Sequence, residues 1–362
     1  KFPATSWALA STPKGATDDA GRILFPEADD NNILDYGKNR AKLAWYIIEP
    51  TLQLPKSSNL PAGISVDDQS DPRVRLVYQK EVFKNRSTDF GQSQLSTLDL
   101  AYYPTERGPY NFTNSPMQMN RDGVLARPQN KWGGIMRAID NSDFETANIE
   151  YIEFWIQDPF IRQPNSTGGS LYFNLGNVSE DILKDSKKFF ENGMPDPNQN
   201  PNKIDSSKWG RQPKFQQQIT QAFDNDPNIR TYQDVGYDGL KSQDEAAFFK
   251  GYMDTLKMNF GGGPVVTQAL KDPANDDYKH YRDPQYNGMS ILQRYKNYSN
   301  PEGNSPVSDP KSQFSSAATN IPESEDLNRD NTMNETEEYF QYKVDLKPNM
   351  QVGSNFIVDK ID

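Results

Sequence analysis

The chain has no cysteine and a single histidine in 362 residues. The first absence removes disulfides, thiolate nucleophiles and cysteine-based zinc sites together, and leaves the compartment open. The second confines any Ser-His-Asp arrangement to His280. That residue lies in the charged run Asp276-Asp-Tyr-Lys-His-Tyr-Arg-Asp283, and no G-x-S-x-G elbow accompanies it. We therefore expect His280 at the surface or in a hydrogen bond, not in catalysis. Apolar residues are also scarce, at 34%. No stretch approaches the roughly 18 apolar residues of a spanning helix. Basic clusters are missing as well, and the net charge is −11. A nucleic-acid partner is excluded on that ground, and an anionic membrane surface is disfavoured. The chain opens Lys1-Phe2-Pro3 without an initiator methionine or signal peptide, so we expect a processed product or a piece of a longer protein.

What is present is aromatic and loop-forming. Aromatics reach 12%, which predicts a core built from a few large rings. Abundant Gly, Pro, Asn, Asp and Ser predict long loops between short elements. Ala41–Ile48 reads as a strand or short helix, and Arg73–Phe83 as a half-buried strand with a local irregularity. Leu95–Tyr103 reads as a strand stopped by Pro104, and Trp132–Ile139 as another. Asn148–Phe160 is almost wholly apolar or aromatic, which suits a strand covered on both sides. After Gly168-Gly169 a second strand carries Leu171, Phe173 and Leu175 on one face. Ser179 then reads as the start of a helix with Glu180 and Asp181 in its first turn.

Helical punctuation appears beyond the DPNQNPN tract at 196–202. Ser242-Gln-Asp-Glu245 has the spacing of a capping box ahead of Phe248, Phe249, Tyr252 and Leu256. Ile291, Leu292, Tyr295 and Tyr298 suggest a second short helix. Residues 299–325 read as a linker. Phe340, Tyr342, Val344 and Leu346 alternate with polar residues as a strand does, Lys347–Met350 turns the chain, and Val352–Val358 follows as a last strand. The architecture these patterns predict is mainly β: a jelly-roll-like β-sandwich with a helical, loop-rich insertion. Residues 1–195 form the first part of the sandwich, 196–325 the insertion and 326–362 the closing strands.

One run has the spacing of a calcium loop. Asp326, Asn328, Asp330 and Thr332 place side-chain oxygens at alternate positions, with Glu337 at the twelfth. Asn331 stands where such loops prefer Gly, and no flanking helix pair is predicted. The bland alternative is an acidic Asx-turn loop. Gly261-Gly-Gly-Pro264 is not a phosphate loop, because no Lys-Ser/Thr pair follows and Pro264 lacks an N–H. Paired carboxylates able to act as acid and base are plentiful, but none is singled out. Trp7, Trp45, Trp132, Trp155 and Trp209 would suit either a core or the floor of a sugar-binding groove. A carbohydrate-binding β-sandwich module is thus the alternative function, and a secreted hydrolase a third.

Several long runs carry a resemblance. Leu98–Tyr110, Asn148–Phe160, Leu171–Pro195, Ala222–Leu240, Ile291–Pro306 and Glu325–Gly353 resemble, in the same order, the SprA/Sov family. This family supplies the outer-membrane translocon of the type IX secretion system of Bacteroidetes, tied in many members to gliding motility. The resemblance implies a part of a very large β-barrel that passes folded proteins across the outer membrane. Polar loops suit a globular domain on that barrel better than its lipid-facing wall. The expected place is an extracellular cap at the cell surface, with the periplasmic side as the weaker option. The implied partners are the rest of the barrel, companion outer-membrane and plug proteins, and secreted cargo. The family supplies no enzymatic motif, so no catalysis is expected, and calcium is the one cofactor considered.

Overall fold

The computed structural model describes residues 4–29, 33–54, 60–85, 93–139, 143–196, 198, 200–215, 222–305 and 319–350. Among these, eight strands form four separate antiparallel pairs. β1 (Ala8–Leu9) pairs with β4 (Ile135–Met136), and β2 (Ala41–Tyr46) with β3 (Asp99–Arg107). β5 (Gly169–Asn177) pairs with β8 (Glu338–Leu346), and β6 (Ile204–Ser206) with β7 (Arg211–Pro213). The helices are α1 (Val66–Gln69), α2 (Gln79–Val82), α3 (Pro227–Gln233), α4 (Ser242–Phe248), α5 (Lys250–Phe260), α6 (Pro264–Ala269) and α7 (Ile291–Arg294). The predicted jelly-roll-like sandwich is therefore wrong: the fold is mixed α and β with small sheets. A sandwich needs ladders that continue from strand to strand, and here each ladder stops at one partner. The expected strand at 352–358 lies outside the described residues.

Individual segments explain the error. β5 and β8 form as expected and run nine residues in register, from Gly169 opposite Leu346 to Asn177 opposite Glu338. The preceding segment 149–158 takes no strand conformation. Its apolar side chains are exposed rather than covered, with Tyr151 at 75% and Ile152, Phe154, Trp155 and Ile156 near half. The stretch 73–83 ends in α2 rather than forming a strand. Pro104 does not stop β3, because the register shifts between Ala41 and Lys42 so that residues 104–106 bulge out of the ladder. A bulge needs no N–H there, so proline is tolerated. Ser179 starts no helix. Glu180 and Asp181 are buried and act as acceptors for the loop backbone.

The principal core is aromatic, as expected. Phe112 meets Phe249 at 4.5 Å, Tyr252 at 5.2 Å and Trp209 at 5.8 Å between ring centroids. Each such pair adds about 0.5–1.5 kcal/mol beyond area burial. This core draws on residues from Leu9 to Ala274, on both sides of the 196–202 tract. A second, smaller core stacks Tyr46, Tyr295 and Tyr281 at 4.4 and 5.0 Å. Tyr295 Oη also accepts the Glu49 N–H at 2.9 Å.

With so few ladders, loop backbone groups need other partners. Buried ionisable side chains supply them. Glu325 accepts the Ile182 and Phe189 N–H groups, both at 2.9 Å. Glu191 accepts those of Val235, Gly236 and Glu323. Asp181 accepts those of Asp185 and Ser186. In the opposite sense, the buried Arg40 donates to the carbonyls of Pro109, Ala10 and Ile182. Arg294 likewise gathers those of Met289, Tyr281 and Ala62. Some of these bonds join distant segments: Glu325 to Ile182 and Phe189, Glu191 to Glu323, Arg40 to Ile182 and Arg294 to Ala62 lie more than a hundred residues apart.

Candidate functional site

The densest chemistry lies where α4 meets the 272–277 loop. α4 forms where the sequence predicted a helix, but the capping box does not. Ser242 is already helical. Its N–H donates to Glu302 Oε1 at 3.0 Å, and its hydroxyl donates to Asp277 Oδ1 at 2.9 Å. Glu245 is thereby released from capping and points inward, fully buried, where Oε2 accepts the Ala274 N–H at 2.8 Å.

The loop opposite is pinned by its own acids. Asp272 Oδ1 accepts the Asp276 N–H at 3.1 Å, and Oδ2 the Asp277 N–H at 3.2 Å. Asp276 is fully buried and receives the Tyr110 hydroxyl at 2.7 Å on Oδ2. Tyr110 Oη in turn accepts the Tyr237 N–H at 2.7 Å. Gly236 lines this spot with φ +67°, and a Cβ there would collide with Asp276 Oδ2 and lie 2.9 Å from the tyrosine oxygen. Asp238, also fully buried, completes the wall.

One carboxylate oxygen from each of Glu245, Asp272 and Asp276 lies within 4.8 Å of the others. Burial, and then the charges of Asp238, Asp272 and Glu302, push the Glu245 carboxyl well above its ordinary range. Burial and then Glu245 and Glu302 do the same to Asp276. Asp238 is raised by burial and then by Asp276. Such a group of like charges in a dry interior is a strong electrostatic feature. Nothing local in the sequence marks it, since Glu245 and Asp272 lie far apart in the chain. The one legible hint is the compact acidic run Asp272-Pro-Ala-Asn-Asp-Asp277.

The residues singled out from sequence lie elsewhere. Asp326 pairs with Lys188 at 2.8 Å and accepts the Asp330 and Asn331 N–H groups. Asn328 and Asp330 bond each other, and Thr332 donates through N–H and Oγ1 to Asp330 Oδ1. Asn331 adopts φ 70°, the left-handed conformation that a Gly would supply. Glu337 accepts the Ser179 N–H at 3.2 Å, and burial pushes its carboxyl up to about 7. Three or more convergent acids occur at Glu245, Asp272 and Asp276, and not at this loop, among the described residues.

His280 packs on Tyr281 at 4.2 Å, and its Nδ1 accepts the Arg282 N–H at 3.2 Å. Burial, then Arg282, lowers its pKa to about 4. The tryptophans build no common floor. Trp209 is fully buried and Trp155 half-exposed. Trp7 and Trp45 line a cavity of about 30 Å³, room for a water and not for a sugar ring. A larger cleft of about 280 Å³ beside Ile47, Leu76 and Leu95 contains Asp99 and Arg75 as its charged residues.

Residues 251–362, which include Asp272, Asp276 and the last strands, match a known family. That family is described as motility related/secretion protein. No curated protein matches the chain. The matched family is SprA_N, and the match covers the C-terminal third of the chain. By that description the match ties residues 251–362 to secretion and motility. No helix of the described residues is long and apolar enough to cross a membrane.

Proposed function

We propose that this chain is a non-catalytic domain of an outer-membrane protein-export translocon, seated on the cell-surface side, where it closes one end of a wide pore so that cargo leaves by another route. The family match over residues 251–362 carries this reading. Two structural facts support it. Several buried carboxylates, Glu191 and Glu325 among them, are committed to loop backbone, a structural role and not a catalytic one. The 280 Å³ cleft pairs no acid with a base, since Arg75 is bound to Glu81 at 2.6 Å. Partners on this reading are the barrel, its companion and plug proteins, and secreted cargo.

Deletion of the chain from a barrel that still folds is expected to make cells permeable to large solutes. Unchanged permeability would refute pore closure. Surface labelling of intact cells is expected to reach exposed lysines such as Lys250. Labelling only after outer-membrane permeabilisation would move the domain to the periplasmic face.

A further inference from the structure

We propose that Glu245, Asp272 and Asp276 bind a divalent cation of calcium's class, which ties α4 to the 272–277 loop. The three carboxylates converge with oxygens no more than 4.8 Å apart. That is the separation of two ligands facing each other across an ion with bonds of about 2.4 Å.

A second observation is independent of that spacing. Asp238 lies outside the trio, is fully buried, and has Oδ2 without any hydrogen-bond donor, while its Oδ1 takes the Leu240 N–H. Asp276 Oδ1 is in the same condition, while Glu245, whose Oε1 likewise has no donor, also meets the Glu302 carboxyl at hydrogen-bond distance. The contrast with Glu191 and Glu325 is sharp, since both oxygens of each accept N–H groups. Orphaned anionic oxygens in a dry interior are costly, and one on a converging carboxylate, Asp276, calls for a positive charge.

Among the described residues no side-chain cation hydrogen-bonds these unpaired oxygens, although Lys42 is near enough for its charge to act on Asp272 and Asp276. Lys42 Nζ donates to Asn300 Oδ1 at 2.7 Å. Arg107 Nη1 is taken by Tyr252 Oη and by the carbonyls of Asn111 and Pro273. The donor set fixes the type of ion. It is all oxygen, the chain has no cysteine, and its one histidine is engaged with Arg282 and Tyr281. Hard, oxygen-seeking ions fit such a set, and zinc and copper do not.

The test uses the full chain after exhaustive dialysis against EGTA. Calcium chloride is expected to bind by calorimetry and to raise the melting temperature. Terbium, a luminescent stand-in, is expected to emit on tyrosine excitation, because Tyr110 lies against Asp276. Glu245→Gln and Asp276→Asn should each weaken calcium binding at least tenfold, and Asp330→Asn should leave it unchanged. Absence of binding to the parent chain would overturn the proposal, with the carboxyls then holding protons. Binding lost in Asp330→Asn and kept in Glu245→Gln would also overturn it, by placing the ion in the 326–337 loop. If either variant at the cluster melts without calcium at the same temperature as the parent, its loss of binding is not a loss of folding. If a variant unfolds, terbium emission from Tyr110→Phe separates the cases, since that change dims emission at this site alone.

Discussion

Glu325 illustrates how single side chains hold this loop-rich fold. It is buried, and each of its oxygens closes a different loop, one through Ile182 and one through Phe189. Glu325→Ala would leave two buried N–H groups without acceptors, at about 1–3 kcal/mol each. We expect a loss of about 3 kcal/mol in urea denaturation, with Glu325→Gln roughly halfway because its amide oxygen still accepts. Equal losses for the two variants would show that the charge, and not the acceptor count, matters. His280 gives a cleaner readout because it is the one histidine of the chain. Its proton signals in NMR should titrate near pH 4, since burial and Arg282 lower its pKa. A midpoint near 6.5 would mean that the ring is solvated. A histidine held neutral favours the fold above its unfolded value, and that contribution is lost as the pH falls from about 6.5 towards 4.

At the scale of elements, α7 shows a capping box that works and α4 one that does not. Ser290 accepts the Gln293 N–H, and Gln293 Oε1 accepts the Ser290 N–H at 3.0 Å. Ser290→Ala should cost about 1 kcal/mol, measured as a shift in the urea midpoint. At Ser242 the same sequence signal is present, yet the hydroxyl is drawn to Asp277 and Glu302. Ser242→Ala should therefore loosen the 276–302 contact and not fray α4. Hydrogen exchange at Ser242, Tyr278 and Glu302 would show which. The contrast explains what was legible. Local patterns located α4, α7, β2, β5 and β8, because helix periodicity and strand alternation are properties of neighbouring residues. They failed at 149–158, where an apolar run signals burial against something but not what covers it. They failed again at Ser179, whose acids look like helix-start residues but serve loops, Glu180 the distant Leu327 and Asn334 and Asp181 the nearby Asp185 and Ser186. The carboxylate cluster was only half legible for the same reason: Asp272 and Asp276 share one acidic run, but Glu245 meets them only through the tertiary fold.

The whole molecule stores part of its acidity inside. Of a net charge of −11, many contributing carboxyls are buried and raised in pKa, among them Asp181, Asp185, Asp234 and Glu325. Asp185 has a defined value: burial, as the leading cause, and then Asp181 among other neighbours lift it from 3.8 to about 6, against a hydrogen bond from Ser207. A carboxyl whose folded value lies above its unfolded one binds its proton more tightly when folded. It therefore favours the fold below about pH 4, and that support is lost as the pH climbs to about 6. The amount is no more than about 3 kcal/mol for a shift of this size. This runs opposite to His280 over much the same range, so the wild-type profile alone is ambiguous. Asp185→Asn separates the two. Its amide oxygen can still accept the Lys187 N–H that Asp185 accepts at 3.0 Å, and it carries no charge to bury. Urea denaturation from pH 4 to 7 is expected to show a smaller loss for the variant, and greater stability than the parent at pH 7. An unchanged slope would mean that Asp185 is solvated in the folded chain, and that the internal acids are compensated by counter-charges rather than by protons.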